Sequence, residues 1–357
     1  MNNIMEFYKG KRVLVTGHTG FKGSWMCRCL VLAGASVCGY SIEPNTTPSL
    51  YELAKIDDMV TSVIADIRDG ESLSKTFDDF KPEIVFHLAA QPIVRESYKN
   101  PVYTYETNVL GTVNVCECVR NSDSVRSFLN VTTDKVYDNK ERENTGYKED
   151  EPLDGYDPYS NSKSCSELVT HSYAKSFLLQ KNIAVSTARA GNVIGGGDFA
   201  ADRIIPDCVR SVLEGNEIIV RNPYSVRPYQ HVLEPVFAYL LIGMEQYLNI
   251  EKAGWYNVGP DDVDCVTTGE LVDTFCNAWE GATWRHVGDD GPHEAGFLKL
   301  DCTKLKKTFG WKPRWSIKEA IEKTIEFSKL LEISDLTEKN KLLLECMDRQ
   351  IREYVNV

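Results

Sequence analysis

The chain has 357 residues, enough for two domains or for one α/β domain with a large elaboration. With 42% hydrophobic and 26% charged residues it is neither disordered nor fibrous. Its 40 basic against 52 acidic side chains, a net charge of −12, argue against a general nucleic-acid binder, which needs a basic patch that this sequence does not display. The longest apolar stretch, Val236 to Met244, is too short to span a membrane, and the opening MNNIMEFYKGKR lacks the apolar run of a secretory signal. The expected location is therefore a reducing cytoplasm, with the eleven cysteines as free thiols. Cys27/Cys29 and Cys116/Cys118, spaced by two on helical stretches, point about 200° apart and cannot share a zinc ion. The six histidines, at 18, 87, 171, 231, 286 and 293, form no pair at a metal-ligand spacing, so no bound metal is expected.

The first element in chain order is a short β-branched run, Val13-Leu14-Val15, which ends in Thr16-Gly17-His18-Thr19-Gly20-Phe21-Lys22-Gly23. A helical pattern through Trp25, Met26, Cys29, Leu30 and Leu32 follows, and a second strand pattern, Ser36 to Tyr40, comes after Gly34. This is a βαβ unit. Gly17 suits the tight turn, Gly20 lets the backbone approach a pyrophosphate, and Gly23 lets helix pack on strand while the helix N-terminus faces the anion. The spacing is G-x-x-G-x-x-G, and its context between strand and helix predicts dinucleotide binding.

The alternation continues with strand patterns at Thr61–Ile64, Pro82–Ala90, Ser127–Thr133 and Ile183–Arg189. Long amphipathic stretches at Val102–Val119 and Asn161–Leu179 lie between them. Strands separated by helices predict an α/β fold, a doubly wound parallel sheet with helices on both faces. After residue 190 the texture changes to Gly195-Gly196-Gly197-Asp198, Asn222-Pro223, Arg227-Pro228 and Gly259-Pro260, the composition of a smaller, loop-rich lobe. The expected division is a dinucleotide-binding domain over 1–188, with a contribution from about 226–258, and a second lobe drawn mainly from 189–357.

Tyr156-Asp157-Pro158-Tyr159-Ser160-Asn161-Ser162-Lys163 carries the most specific chemistry. Tyr159 and Lys163, four apart, share one helix face, so the ammonium can lie beside the ring and favour phenolate over the unperturbed phenol.

With these motifs in place, the sequence resembles the extended short-chain dehydrogenase/reductases that act on nucleotide-linked sugars, the NAD-dependent epimerase/dehydratase family. The likeness runs through Gly17 to Trp25, His87-Leu88-Ala89-Ala90-Gln91, Asn108-Val109-Leu110-Gly111-Thr112, Thr133-Asp134-Lys135-Val136-Tyr137, Tyr159/Lys163, Lys299 to Leu305 and Gly310-Trp311-Lys312-Pro313. It implies a Rossmann-type sheet with a C-terminal α/β substrate-binding lobe. Within the family, Thr133-Asp134-Lys135 resembles the 4,6-dehydratases acting on CDP-glucose, whereas many relatives have Asp-Glu after the threonine. The implied reaction yields CDP-4-dehydro-6-deoxy-D-glucose and water by hydride transfer within the substrate through bound NAD. In it Tyr159 and Thr133 act on the sugar 4-hydroxyl, Asp134 is the acid at C6, and Lys135 is the base at C5, which requires Lys135 to be neutral. A 4-epimerase or another nucleotide-sugar dehydratase of the family, and a non-catalytic cofactor sensor, are the alternatives.

The resemblance also implies a cofactor site made of Gly17, Thr19, Gly20, Phe21, Lys22, Gly23, Ser41, Asp66, Ile67, Leu88, Ala89, Ala90, Gln91, Asn108, Thr132, Tyr159 and Lys163. An acid is missing at the usual place after the second strand, leaving Glu43 or Ser41 for the ribose, and no nearby arginine favours a 2′-phosphate. Asn192 in Arg189-Ala190-Gly191-Asn192, with Arg203, Arg221 and Arg227, is implied for the substrate diphosphate. The two long amphipathic helices imply a four-helix contact between subunits, in a homodimer or homotetramer.

Overall fold

The computed structural model describes residues 1–142, 145–288 and 297–356. Of the histidines, His293 lies outside the described residues. Seven strands form one parallel sheet: β1 (Arg12–Thr16), β2 (Ser36–Ser41), β3 (Thr61–Ile64), β4 (Ile84–His87), β5 (Ser127–Thr133), β6 (Ala184–Ala190) and β7 (Trp255–Val258). Their spatial order is β7-β6-β5-β4-β1-β2-β3. Every residue of β4, β5 and β6 is buried, as in a parallel sheet covered on both faces. From β1 the chain passes to β2 on one side, while β4 pairs with β1 on the other, with Thr16 opposite His87. The strand order reverses there, and the crevice outside the carboxyl ends of β1 and β4 is where such sheets bind ligands.

Six strands coincide with those read from the sequence. The seventh, β7, falls within a segment whose glycines and prolines read as loop. Its four residues, Trp255-Tyr256-Asn257-Val258, run directly into Gly259-Pro260, and pairing with β6 makes them a strand.

Four helices matter most for the site: α1 (Phe21–Leu32), α2 (Gly111–Asn121), α3 (Pro158–Tyr173) and α4 (Leu233–Leu248). α4 contains the long apolar run noted in the sequence and is buried on nearly all sides, the behaviour of a helix without a polar face. With α1 and the C-terminal helix Leu336–Asn356 it covers one face of the sheet, through Trp25, Leu30, Val236, Phe237, Met347 and Tyr354 among others. Arg28 of α1 clamps Asp348 of that last helix with two contacts at 2.6 Å. The final helix thus packs back on the nucleotide-binding layer, and the two parts of the chain are interleaved. The smaller lobe has its own core, with Ile205, Val209, Phe275 and Ile321 from the helices Ile204–Leu213, Thr268–Ala278 and Ile317–Lys329.

α3 packs on the other face through polar side chains. Its start is set by Asp157, which accepts from the Ser160 amide at 3.0 Å, and by Pro158 in the first turn. Ser162 accepts from Asn108 at 2.8 Å, and Asn130 donates to Ser166 and Thr170 at 2.9 and 2.8 Å. Below them Glu167 accepts from Arg189 at 3.0 Å, from Thr187 at 2.7 Å and from Thr132, and pairs with His171 at 3.0 Å. Neither the Glu167 nor the Arg189 side chain has any exposure. Burial alone would raise the Glu167 carboxyl, but Arg189 and the converging donors outweigh it and hold the group at about 2.

Replacing Glu167 by Ala strands Arg189 in the interior, and urea unfolding should show a loss of about 3–5 kcal/mol. Because the folded value lies below the ordinary 4.5, this carboxylate's contribution is complete above that value and disappears as the pH falls toward 2. Acid unfolding of Glu167→Gln should therefore depend less on pH in that window than that of the wild type, and an identical acid profile would refute the assignment.

Candidate active site

At the β1–α1 turn Gly17 has φ +76°, and a Cβ there would lie 2.8 Å from the Ala89 nitrogen after β4. At Gly23 a Cβ would fall 2.1 Å from the Gly17 carbonyl oxygen. Both glycines are thus imposed by backbone packing. Gly20 caps α1 with no side chain of its own, so the helix start is left to whatever occupies the crevice.

A cavity of about 210 Å³ opens over this turn. Its walls include Gly17, Thr19, Gly20, Phe21, Lys22 and Gly23 from the turn, then Ser41, Asp66 and Ile67, and Leu88, Ala89 and Ala90 after β4. Thr132, Tyr159 and Lys163 close its inner end. The Thr19 hydroxyl donates to the Ile42 carbonyl and pairs with Ser41, each at 2.9 Å, locking the turn to the end of β2. Glu43 lies on the same wall, in the region where an acid was missing from the usual spot. Asp66 is gripped by Arg68, whose hydrogen bonds hold its carboxyl below the usual range.

Two expected wall residues stand elsewhere. The Gln91 side chain turns away and bonds Thr104 at 2.9 Å and the Ile93 carbonyl at 3.1 Å, because the loop after β4 needs those partners to hold its path. Asn108 is buried behind it, accepting from the Gln91 amide at 2.8 Å and donating to Ser162. Both brace the cavity from outside. His18 also leaves the wall: its ring lies over β2, where a Cβ on Gly39 would come within 2.2 Å, and pairs with Ser62 at 2.7 Å. Burial lowers that imidazole to about 4.

A second cavity of about 320 Å³ adjoins the first. Thr133, Asp134, Lys135 and Tyr159 stand at one end, and Asn192, Arg203, Arg221 and Arg227 line the way into the lobe. Phe21, Lys22, Thr132, Tyr159, Asp198 and Arg203 border both cavities, so the junction lies at Tyr159. Arg203 pairs with Asp198 at 3.0 Å and Arg221 with Asp202 at 3.1 Å, arrangements that hold the guanidinium groups over the cavity. Arg227 is buried and donates to the Val226 carbonyl at 3.0 Å. Asp198 follows three glycines, and no spacing in the sequence pointed to it.

The electrostatics of the junction differ from the simple Tyr/Lys expectation. The Lys163 ammonium donates to the Val131 carbonyl of β5 at 3.1 Å. Burial, with Lys22 nearby, lowers Lys163 to about 7, while Glu167 acts against that shift. Burial pushes Tyr159 up to about 12, partly countered by a hydrogen bond with Thr133, so the resting phenol keeps its proton. Asp134 is raised, again by burial, although the charges of Lys135, Arg227 and Lys22 and a hydrogen bond from Thr133 pull it down. Thr133 donates to Asp134 Oδ1 at 3.0 Å, while Oδ2 is buried with no hydrogen-bond partner. A buried carboxyl raised in this way is suited to carry a proton for delivery. Lys135 is only partly buried and lines the second cavity beside it. Among the described residues there is no group of three His, Cys, Asp or Glu that could hold a metal ion, and no helix is long and apolar enough to cross a membrane.

A glycine-turn sheet, a Tyr/Lys pair on α3 and a second cavity meeting the first at the tyrosine define a dinucleotide-dependent enzyme acting on a small polar substrate. The family model described as GDP-mannose 4,6 dehydratase matches residues 14–324, and the chain belongs to this family. It is 46% identical over 359 residues to the CDP-glucose 4,6-dehydratase of Salmonella typhimurium strain LT2, covering 98% of each chain. It is 28% identical to the dTDP-glucose 4,6-dehydratase 1 of Escherichia coli K12, over 88% of this chain and 92% of that one. Among solved structures, the UDP-glucose 4-epimerase of Thermus thermophilus in complex with NAD superposes with a TM-score of 0.77 at 26% identity, covering 89% of this chain and 99% of that one.

Gly23→Ala forces its methyl against the Gly17 carbonyl, an overpacking of about 1–3 kcal/mol that the turn can relieve only by deforming. Calorimetric titration with NAD should show affinity reduced by at least about tenfold, and unchanged affinity would mean that the turn does not shape the cofactor site.

Proposed function

We infer that the chain is an NAD-dependent CDP-glucose 4,6-dehydratase, forming CDP-4-dehydro-6-deoxy-D-glucose and water. The observation that carries this reading is the Asp134-Lys135 pair at the end of β5, lining the same cavity as Tyr159. A 4-epimerase needs no acid and base beyond those acting on the 4-hydroxyl, whereas elimination across C5 and C6 needs both, close together. Full-length identity to a CDP-glucose dehydratase supports the same choice.

The residues of the first cavity fit NAD. Gly17, Gly20 and Gly23 line the cavity, and α1 starts there with no side-chain cap, an arrangement that suits a pyrophosphate. Ser41 and Glu43 would face the adenosine ribose, Asp66 and Ile67 the adenine, and Tyr159 and Lys163 the nicotinamide end. When bound, NAD supplies a hydride acceptor and then a hydride donor, so it ends unchanged. The protein's part is proton handling and placement. Thr133 holds the 4-oxygen beside Tyr159, which acts as the phenolate: its own proton passes to water when the site is loaded, a change that a positive nicotinamide would favour, and the freed oxygen takes the 4-hydroxyl proton. The buried Asp134 gives its proton to the departing 6-hydroxyl, which leaves as water. Lys135 faces C5 and removes its proton, and Arg203, Arg221, Arg227 and Asn192 hold the diphosphate.

The enzyme is proposed to act as a homo-oligomer in the cytoplasm. Val102, Leu110 and Leu168 are 70%, 55% and 54% exposed, with Phe177 and Leu179 also exposed on the same two helical stretches. Apolar side chains grouped in this way suit a second copy of the chain. All eleven cysteines are free, eight of them buried, in keeping with a reducing compartment.

Purified enzyme with NAD and CDP-glucose should yield a product lighter by one water with a new 6-methyl proton signal. An unchanged mass with an inverted C4 centre would instead make the enzyme an epimerase. Asp134→Asn should lower the dehydration rate by roughly 10²–10⁴-fold, the usual contribution of a positioned acid, with little change in KM. Leu168→Glu with Leu110→Arg should shift the mass measured by light scattering toward the monomer, and an unaltered mass would place the subunit contact elsewhere.

A further inference from the structure

Tyr159 and Asp134 fix the sugar end of the second cavity, so the base of a nucleotide-linked substrate extends to the opposite end, in the lobe. That end has apolar walls from Ile205, Ile219 and Tyr229, a surface suited to a flat ring. Four aspartates border the whole cavity. Asp134 belongs to the sugar end, and Asp198 and Asp202 pair with Arg203 and Arg221. Asp207 is the fourth, in the first turn of the helix Ile204–Leu213. Its Oδ1 accepts from Arg210 at 3.2 Å, while its Oδ2 accepts no hydrogen bond among the described residues.

We propose that Asp207 reads the pyrimidine, one carboxylate oxygen accepting a hydrogen from the exocyclic 4-amino group of cytosine. The inference deepens the CDP-glucose reading and rests on it. Cytosine presents a donor at position 4 where uracil and thymine present a carbonyl oxygen, so the same carboxylate meets an acceptor in the wrong nucleotide and both groups stay unpaired. Sites that demand a hydrogen bond in this way reject the analogue that lacks it far better than an apolar pocket can. Burial raises the Asp207 carboxyl to about 6, which leaves it mainly ionised, and so an acceptor only, at neutral pH.

Asp207→Asn preserves the shape and replaces one acceptor oxygen with a donor, which can meet a uracil carbonyl. Binding of CDP and of UDP to wild type, Asp207→Asn and Asp207→Ala, titrated calorimetrically with thermal unfolding as the check on folding, isolates base recognition from chemistry. Wild type should bind CDP more tightly than UDP. In Asp207→Asn the CDP/UDP ratio should fall by at least about tenfold, mainly through a gain for UDP, and Asp207→Ala should lose the preference through weaker CDP binding. A ratio unchanged in both variants, in an enzyme that dehydrates CDP-glucose, overturns the role of Asp207 alone. A wild type that dehydrates UDP- or dTDP-glucose and not CDP-glucose overturns the functional reading itself.

Discussion

The buried pair of Glu167 and Arg189 is the contact on which the site depends. It joins α3, which carries Tyr159 and Lys163, to β6, and through Thr132 it reaches β5, which ends in Thr133 just before Asp134. Apolar packing alone would let a helix slide by fractions of an ångström at little cost. Hydrogen bonds are directional, and a buried charge left without its partners costs several kcal/mol, so this interface has one register. The serines and threonines of α3 extend the same logic along its length, with Asn130, Asn108 and Thr112 as partners. A catalytic helix docked by polar contacts positions its functional groups more narrowly than one docked by a greasy seam.

That rigidity shapes the electrostatics at the junction. Lys163 has a fixed carbonyl partner on β5, so its ammonium sits in a defined place even though burial has brought it close to neutrality. Tyr159 and Asp134 are both pushed toward their protonated forms by the same exclusion of water. Elimination of water needs a proton at C6, and burial biases Asp134 toward carrying one, in keeping with the acid role proposed for it, whereas Tyr159 must lose its own proton before it can accept another.

Much of this could be read in the residues beforehand. The glycine turn and the Tyr/Lys spacing are local signals, and six strands show as β-branched runs bounded by turns. β7 could not be read this way. Its Asn257 accepts from Tyr137 at 2.6 Å and donates to the Tyr147 carbonyl at 2.7 Å, a role as a polar hub that pairing to β6 creates and composition does not announce. The orientation of Lys163 was hidden for a similar reason, since its partner Val131 lies 32 residues away. Gln91 was placed on the wall by resemblance, but the loop's own hydrogen-bonding needs take its side chain elsewhere. Asp198 and Asp207 belong to no motif, and only the folding of the lobe brings them to the cavity.

The course of β6 ties these observations together. Arg189 is anchored from below, and three residues later Asn192 stands on the wall of the second cavity. Between them lies Gly191, where a Cβ would sit 3.2 Å from Asp134 Oδ2, 3.0 Å from the Pro228 oxygen and 2.6 Å from the Pro228 ring. A side chain at 191 would press on the acid from behind or push the strand away from it. With glycine there, the strand passes close enough to exclude water from Asp134 while offering that oxygen no donor. The raised proton affinity of the acid is thus a packing property of the neighbouring strand, and the ion pair that pins the strand is what keeps that packing in place.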